Sequence, residues 1–294
     1  MIGISKLYCG AVEASDPLRY GRESRRLPSH LLQFSSDKKP VVVWNMTKRC
    51  NLRCIHCYAR AENETYRGNE LSTDEGKRLI DDLAEFGVPV ILFSGGEPVL
   101  RKDLPDLIDY AVKKGLRAVI STNGTLITEE KAKQFARYAL SYIGISIDGT
   151  GKVNDAFRGV DGAYDLAING VRNAKHAGIK VGLRFTINKK NYNEIQRIFD
   201  IIETEGIQRV CFYHLVYAGR GSQLINEDIS HEESRKVVDY IMDRTKESFK
   251  KGSPIEVLTV DNHADGPYVY LRLLQEDSQR AKEVYDLLMM NEGN

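Results

Sequence analysis

The sequence has few cysteines, almost no net charge and no long apolar run. Its 294 residues include five cysteines, and 42 basic side chains offset 41 acidic ones to give a net charge of +1. A balance this even gives no general attraction to nucleic acid or to a membrane surface. No apolar run approaches the length of a membrane span, and the N-terminus does not read as a secretion signal. We therefore expect a cytoplasmic protein that binds neither nucleic acid nor membranes.

Three of the five cysteines lie within eight residues. Cys50, Cys54 and Cys57 have the spacing C-x3-C-x2-C, which brings three thiolates together in one tight loop. A [4Fe-4S] cube normally takes four thiolates, so three would leave one iron open to a ligand that is not protein. A zinc site usually has two separated cysteine pairs, and no second C-x2-C occurs. We interpret the motif as cluster ligation, with zinc binding or a redox dithiol as alternatives, and Cys9 and Cys211 as a loop thiol and a buried strand residue.

Apolar, strand-like segments alternate six times with amphipathic helical segments. Such alternation predicts βαβ units and a parallel sheet. Six units are too few for a closed eight-stranded barrel, so we predict an α/β fold with an open, partial (β/α)6 barrel. A doubly wound sheet is the structural alternative. The six strands are predicted at residues 41–46, 88–93, 117–121, 142–147, 180–187 and 208–216.

Three regions follow from this pattern. A charged N-terminal leader, residues 1–40, precedes the first strand, and the barrel extends over residues 41–221. Residues 222–294 begin as polar loop and continue as helix, with the better helical segments at 232–249 and 268–290. The sequence therefore predicts a barrel with a short leader and a helical C-terminal extension.

Glycines and polar side chains follow the second and third predicted strands. Active sites of parallel βα barrels lie at the carboxyl ends of the strands. Gly95, Gly96 and Glu97, of the segment GGEP, follow the second strand. Adjacent glycines let the backbone approach a ligand closely, and the carboxylate can accept hydrogen bonds from an ammonium group. Ser121 and Asn123 end the third strand with a hydroxyl and an amide that suit a ribose. GGEP alone would indicate a turn, but its place at a strand end after the cysteine motif favours a binding role.

Together, the cysteine motif and these strand ends resemble the radical S-adenosylmethionine (SAM) superfamily. The resemblance implies two cofactors, a [4Fe-4S] cluster held by Cys50, Cys54 and Cys57 and a SAM molecule whose methionine part binds the open iron. In that family, one electron from the cluster cleaves SAM and releases a 5′-deoxyadenosyl radical, which abstracts a hydrogen atom. The role of the protein is to hold, orient and shield these cofactors.

The resemblance also implies SAM contacts at the strand ends. In the family GGEP holds the α-amino group of SAM, and related enzymes carry a segment similar to STNG after the third strand. Relatives with the pattern SIDG…R, here Ser146 and Arg158, contact the ribose and the carboxylate of SAM, and a guanidinium orients a carboxylate strongly in a dry pocket. A surface ion pair for Arg158 and a turn-forming role for Asp148 are the alternatives. The predicted SAM-binding residues are Gly95, Gly96, Glu97, Ser121, Asn123, Ser146 and Arg158.

Four more residues lie in the motif or after the sixth strand. Tyr58 follows the third cysteine, where an aromatic side chain often shields the cluster in the family, and the backbone of His56 lies where the family contacts adenine. The turn around Arg220 resembles the turn that lines the adenine pocket. We interpret His214 as a strand histidine with a satisfied hydrogen bond, and a substrate contact is the alternative.

A narrower resemblance, to the haem-biosynthesis branch of the superfamily, covers nearly the whole chain. It is carried by residues 1–8, 28–34 and 39–45. The branch includes the NirJ-like proteins of haem d1 formation and the didecarboxysirohaem deacetylases, which remove two acetate side chains from an iron tetrapyrrole and yield iron-coproporphyrin. It implies a tetrapyrrole substrate and a low-potential electron donor of flavodoxin or ferredoxin type.

Two features of the chain bear on this narrower resemblance. The branch carries further cysteines for an auxiliary cluster, and none follows Cys211 here, so we expect that region to be missing or the protein to work with one cluster. Basic side chains of the leader could pair with the carboxylate rim of a porphyrin, and a solvated leader is the alternative. They are Arg19, Arg22, Arg25 and Arg26. The alternative functions are a radical SAM peptide-modifying maturase and a non-catalytic iron–sulfur electron-transfer protein.

Overall fold

The computed structural model describes residues 1–12, 39–66 and 68–290. In these ranges it contains one eight-stranded sheet and the helices that connect its strands. The strands are β1 (Ile2–Gly3), β2 (Val42–Asn45), β3 (Val90–Ser94), β4 (Arg117–Thr122), β5 (Tyr142–Ser146), β6 (Val181–Thr186), β7 (Arg209–Tyr213) and β8 (Glu256–Val260). The helices are α1 (Ile4–Cys9), α2 (Thr73–Phe86), α3 (Leu104–Lys113), α4 (Glu129–Arg137), α5 (Lys152–Arg158), α6 (Ala163–His176), α7 (Ile195–Glu205), α8 (His231–Lys250), α9 (Asp265–Glu276) and α10 (Ser278–Met290).

Seven strands of this sheet are parallel. The order β1-β8-β7-β6-β5-β4-β3-β2 places successive strands side by side from β2 to β8, and each connection between them contains a helix. β1 joins the far edge and runs antiparallel to β8. The carboxyl ends of β2 to β8 therefore meet on one side of the fold, where βα proteins place their active sites. The α/β fold with an open partial barrel, predicted from the sequence, is confirmed.

Two strands, β1 and β8, extend the sheet beyond the six that were predicted. β8 lies in the segment expected to be loop and helix, and its five residues are too few to distinguish from loop by periodicity. It pairs with β7 from Arg209↔Glu256 to Tyr213↔Val260 and is largely buried there. β1 is two residues long. Both segments that flank the predicted barrel thus contribute to its sheet.

Local sequence signals set the helix ends. Ser72 caps α2 and forms a capping box with Glu75, and Gly87 ends the helix with a left-handed φ of +84°. The helix predicted at 268–290 is two helices, α9 and α10, because the chain turns extended at Asp277, where φ is −154° and ψ is 91°. Within the described ranges, no helix combines the length and apolar character that crossing a membrane requires.

The N-terminal helix is attached to the last strand and the last helix. Val257 N donates to Ser5 Oγ at 2.9 Å, and Ser5 Oγ donates to Val257 O at 3.3 Å, across 252 positions of sequence. Arg280 Nε donates to Leu7 O at 2.9 Å. The edge of the sheet at β8 is therefore covered by the beginning of the chain.

Candidate active site

The carboxyl ends of the parallel strands surround a cavity of about 550 Å³. Strands β2 to β7 each contribute a side chain to its wall, and the cysteine loop after β2 forms one side of it. Every predicted site residue except Glu97 lies on the cavity surface. These residues are Cys50, Cys54, Cys57, Gly95, Gly96, Ser121, Asn123, Ser146 and Arg158.

Backbone hydrogen bonds fix the cysteine loop. Cys50 N donates to Glu62 O at 2.8 Å, which closes the loop on itself. Arg53 N donates to Arg158 O at 2.9 Å, the carbonyl of the last residue of α5. The positions of the thiols therefore depend on where α5 ends.

The sulfurs of the motif can act as metal ligands. None of the three cysteines is in a disulfide. Leu52 N donates to Cys50 Sγ and Ala61 N donates to Cys57 Sγ, both at 3.4 Å, and donors of this kind stabilise a thiolate. Burial raises the pKa of the Cys50 thiol to about 12, so iron would have to displace the proton.

The sulfur arrangement also fits a cube. Within the described part of the chain, no three His, Cys, Asp or Glu side chains converge closely enough to hold a single metal ion. An iron–sulfur cube places a different demand on the protein, because each thiolate binds a separate iron at its own corner. The three thiols, facing one cavity with N–H donors on two of the sulfurs, fit a [4Fe-4S] cluster.

The two glycines of GGEP pack against the backbone of the cysteine loop. Gly96 N donates to Thr47 O at 2.7 Å. A Cβ on Gly95 would lie 2.4 Å from Thr47 O, and one on Gly96 would lie 2.2 Å from Arg49 O. The close approach expected toward a ligand is thus an approach to the protein's own loop, although both glycines also line the cavity.

Glu97 joins the ends of two strands. Its side chain is fully buried, and its oxygens accept hydrogen bonds from Val99 N at 3.0 Å, Thr122 Oγ1 at 2.7 Å and Asn123 N at 2.8 Å. Burial raises the pKa of this carboxyl group, and the three hydrogen bonds oppose that rise. The carboxylate ties the end of β3 to the end of β4, and its contact with an amino group of SAM stays a prediction.

Two of the polar side chains predicted to contact ribose, Asn123 and Ser121, also have protein partners. Asn123 Nδ2 donates to Asn51 Oδ1 at 2.8 Å, within the segment of the cysteine motif. Ser121 Oγ accepts a hydrogen bond from Arg184. Ser146 lines the cavity at the end of β5. Their contacts with SAM stay predictions.

Arg158 is held by a buried carboxylate that the sequence analysis assigned only to a turn. Arg158 Nη2 lies 2.6 Å from Asp148 Oδ2, and His56 Nε2 lies 3.2 Å from the same oxygen. Arg158 is 7% exposed, so the alternative of a surface ion pair is wrong. Its Nη1 lies 3.6 Å from Cys54 Sγ. Burial raises the pKa of the Cys54 thiol, and the nearby guanidinium opposes that rise.

Asp148 also anchors the neighbouring strand. Its Oδ1 accepts a hydrogen bond from Thr186 N at 2.7 Å, at the end of β6. Burial lowers the pKa of the adjacent His56. The pair of Asp148 and Arg158 therefore places one guanidinium beside the cysteine loop in a largely dry wall of the cavity.

Comparisons with known proteins agree with this site. The Radical SAM superfamily model matches residues 44–202, which is more than half of the chain. The Fe-coproporphyrin III synthase of Methanosarcina barkeri is 66% identical over 294 residues, covering 100% of this chain and 73% of that protein. The chain belongs to the radical SAM superfamily. It is a radical SAM enzyme of the haem-biosynthesis branch.

Two further comparisons bear on branch and fold. The pre-heme d1 synthase of Dinoroseobacter shibae is 44% identical over 236 residues, covering 78% of this chain and 57% of that protein. The crystal structure of Streptococcus suis SuiB bound to S-adenosylmethionine matches with a TM-score of 0.65 at 19% identity, covering 78% of this chain and 52% of that one. The structural match supports the fold alone, while membership of the radical SAM superfamily implies a [4Fe-4S] cluster and SAM.

In this radical SAM enzyme the turn after β7, which contains Gly219 and Arg220, also packs against the cysteine loop. Arg220 Nε donates to Cys54 O and its Nη1 donates to Ala61 O, both at 2.8 Å. Gly219 has a left-handed φ of +59°, and a Cβ there would lie 2.3 Å from Cys57 O. The resemblance placed this turn beside adenine, whereas its observed contacts are with the loop that carries the cysteines.

We expect Gly219→Ala to lower iron incorporation, because the added methyl group would push against the backbone of Cys57. Gly178→Ala is the matched control, since Gly178 also has a positive φ, +81°, but no atom lies within 4 Å of its added Cβ. Both variants bear a backbone strain of about 1–2 kcal/mol. Iron per chain after anaerobic reconstitution should fall only for Gly219→Ala, and equal iron in both variants would contradict the role of this turn.

Sequence reasoning missed several residues on the cavity wall. Arg184 and Tyr213 line it from β6 and β7, and Asp261 lines it directly after β8 with a positive φ of +68°. His214 lies directly after β7 and not within a strand as predicted, but its Nε2 has the predicted partner, 2.9 Å away at Asp265 Oδ2. Its side chain also lines the cavity. A charged side chain within an otherwise apolar strand was the available signal for Arg184.

Proposed function

We propose that this radical SAM enzyme removes acetate side chains from an iron tetrapyrrole and converts didecarboxysirohaem to iron-coproporphyrin. The observation that carries the proposal is the 66% identity with Fe-coproporphyrin III synthase, which extends over the whole of this chain. The proposal includes a [4Fe-4S] cluster and SAM as cofactors and a low-potential donor of flavodoxin or ferredoxin type as the source of electrons.

The residues of the cavity support this chemistry by placement. When bound, the cluster and SAM supply the radical that abstracts hydrogen. Cys50, Cys54 and Cys57 would hold the cluster, since all three face the cavity. Arg158, fixed by Asp148 beside the cysteine loop, offers a guanidinium of defined orientation for the carboxylate of SAM.

An exposed apolar rim supports a flat ring as substrate. Val43, Tyr58 and Val216 all line the cavity and are 50%, 51% and 43% exposed. Large apolar side chains grouped at the mouth of a cavity are typical of a binding site for an apolar surface. Among the described strands β2 is an edge of the sheet, so no other described strand pairs with it on this side of the cavity.

The four leader arginines proposed as partners of the carboxylate rim lie outside the described residues. They are Arg19, Arg22, Arg25 and Arg26. A carboxylate-bearing ring needs cations near the mouth of the cavity, and the cavity wall itself supplies arginine side chains.

The test is a turnover experiment with the intact chain. Anaerobically reconstituted protein, SAM, didecarboxysirohaem and a low-potential reductant should yield iron-coproporphyrin and 5′-deoxyadenosine, measured by mass spectrometry. The Cys54→Ala protein in the same mixture is the control and should form neither product.

Two results would overturn the proposal. Abundant 5′-deoxyadenosine with an unchanged tetrapyrrole mass would show that the enzyme cleaves SAM but acts on another substrate, such as the peptides of the peptide-modifying maturases. Absence of both products from protein that holds its iron and binds SAM would contradict the proposed reaction itself.

A further inference from the structure

We propose that Arg184 binds a carboxylate group of the tetrapyrrole substrate, an inference that rests on the function proposed above. Arg184 lies in β6, and its side chain lines the cavity that contains the three cysteines. Its strand lies between the strands that carry Ser121 and Tyr213, and its side chain contacts both residues. A substrate that entered the cavity would meet this guanidinium on its wall.

No salt bridge joins Arg184 to a carboxylate among the described residues, and its side-chain hydrogen bonds go to hydroxyl groups. The described cavity wall holds three arginines, and two of them are already used: Arg158 pairs with Asp148, and Arg220 donates to carbonyl groups of the cysteine loop. Arg184 Nε donates to Tyr213 Oη at 3.0 Å, and its other donors reach the same phenol and Ser121 Oγ.

These hydroxyl acceptors are neutral. The carboxylate of Asp261 lines the same cavity without forming a salt bridge with Arg184; burial raises the pKa of Asp261, and the charge of Arg184 opposes that rise. A partly buried cation whose direct hydrogen-bond partners are neutral is costly, because hydroxyl groups replace water without neutralising the charge. A carboxylate delivered by a ligand would remove that cost, which is why the site favours an anionic group.

The barrel is built to hold this side chain in one orientation. Ser121 pairs in register with Gly144, and Arg184 pairs with Ser146, so Gly144 lies between the guanidinium and Ser121. A Cβ on Gly144 would come within 3.1 Å of Arg184 Cδ. The glycine thus leaves a path along which the side chain crosses β5.

Tyr213 completes this arrangement. The guanidinium carbon of Arg184 lies 5.0 Å from the centre of the Tyr213 ring. Stacking and hydrogen bonding fix the orientation of the planar guanidinium. A guanidinium that is already oriented loses little conformational freedom when it binds a carboxylate through two donors.

Arg158 and Arg184 lie on different walls of the cavity, which indicates different roles for the two guanidinium groups. Arg158 lies beside Cys54 Sγ, on the wall where the cluster and the methionine part of SAM are expected. Arg184 lies on β6 and contacts β4 and β7 instead. SAM has one carboxylate, so a second guanidinium on a different wall fits a second ligand with carboxylate groups of its own.

The experiment compares a tetrapyrrole with and without its carboxylates. Iron coproporphyrin III and its tetramethyl ester are titrated by absorbance, in one detergent-containing buffer, into wild-type protein, Arg184→Met and Arg209→Met. Arg209 is the matched control, because it stacks on Tyr142 at 5.3 Å and pairs with Glu256 at 3.5 Å without lining the cavity. SAM affinity is measured on the same proteins from the electron-paramagnetic signal of the reduced cluster.

We expect Arg184→Met to weaken binding of the free acid by about 10- to 100-fold, the range for losing a hydrogen-bonded charge partner. Binding of the ester should be nearly equal in all three proteins, and SAM affinity should not change. If Arg184→Met loses its iron, Arg184→Lys carries the same test, with a smaller expected loss because the ammonium cannot bind a carboxylate through two coplanar donors.

Three outcomes would overturn the inference. The first is that Arg184→Met loses affinity for the free acid and for the ester equally. The second is that Arg184→Met binds the free acid as tightly as the wild-type protein does. The third is that Arg184→Met loses affinity for SAM and keeps its affinity for the tetrapyrrole. Failure of the wild-type protein to bind either tetrapyrrole would contradict the proposed function instead, so the two failures are distinguishable.

Discussion

Alanine at Cys50, Cys54 or Cys57 should abolish SAM cleavage and remove most of the cluster iron. Each change deletes one of three thiolates that face the same cavity, and the remaining two cannot hold a cube at three corners. The measurements are iron and sulfide per chain, the electron-paramagnetic spectrum of the reduced protein, and 5′-deoxyadenosine formed from SAM.

Cys9→Ala and Cys211→Ala are the controls for this prediction. Cys211 is buried beside Leu258 and Val260, apart from the motif, and Cys9 ends α1. Both variants should keep iron near the wild-type value, with only the modest loss of stability that follows removal of one small thiol group. A control variant that loses the cluster while a motif variant keeps it would show that the ligands are misassigned.

Arg158→Ala should destabilise the fold and weaken SAM binding together. The change leaves Asp148, fully buried, without the guanidinium 2.6 Å away, and an uncompensated buried charge costs about 3–5 kcal/mol. SAM affinity should fall by about 1–3 kcal/mol through loss of a charge-assisted hydrogen bond. Anaerobic denaturation measures the first effect, and titration of the cluster signal with SAM measures the second.

Arg172→Ala is the matched control, because Arg172 pairs with Glu205 at the same distance of 2.6 Å but its side chain is 53% exposed. That pair should contribute at most about 1 kcal/mol to stability. A double variant, Arg158→Ala with Asp148→Asn, removes both charges and separates the two effects. Recovery of stability without recovery of SAM affinity would support a direct contact, whereas unchanged SAM affinity in Arg158→Ala would rule that contact out.

That the candidate ligand residues share one cavity could be predicted from sequence, because the signal of each is local. The cysteine spacing occupies eight residues, and the strand ends that carry Gly95 and Ser146 follow apolar segments of ordinary length. A parallel sheet then brings strand ends together without further information. The same logic identified six of the parallel strands and the cavity they surround.

The partners of those residues could not be predicted, because each pairing joins distant elements. Nothing in the motif around Asp148 indicates that its carboxylate accepts a hydrogen bond from the end of β6 and pairs with Arg158. The segment GGEP predicts that the carboxylate of Glu97 contacts a ligand, but three donors of the protein itself form hydrogen bonds with it. Such contacts depend on register and curvature, which the periodicity of one segment does not contain.

The attachment of α1 to the last strand has a consequence for the order in which the chain folds. Contacts between Ser5 and Val257 close a loop of about 250 residues. Such closure is slow, because the chain loses entropy when its ends meet, before the contact stabilises the fold. During synthesis the ribosome releases β8 only after β2 to β7 have emerged. We therefore expect the side of the sheet that carries the cysteine loop to assemble first. Until β8 pairs with it, β7 is an unpaired edge strand and is prone to aggregation.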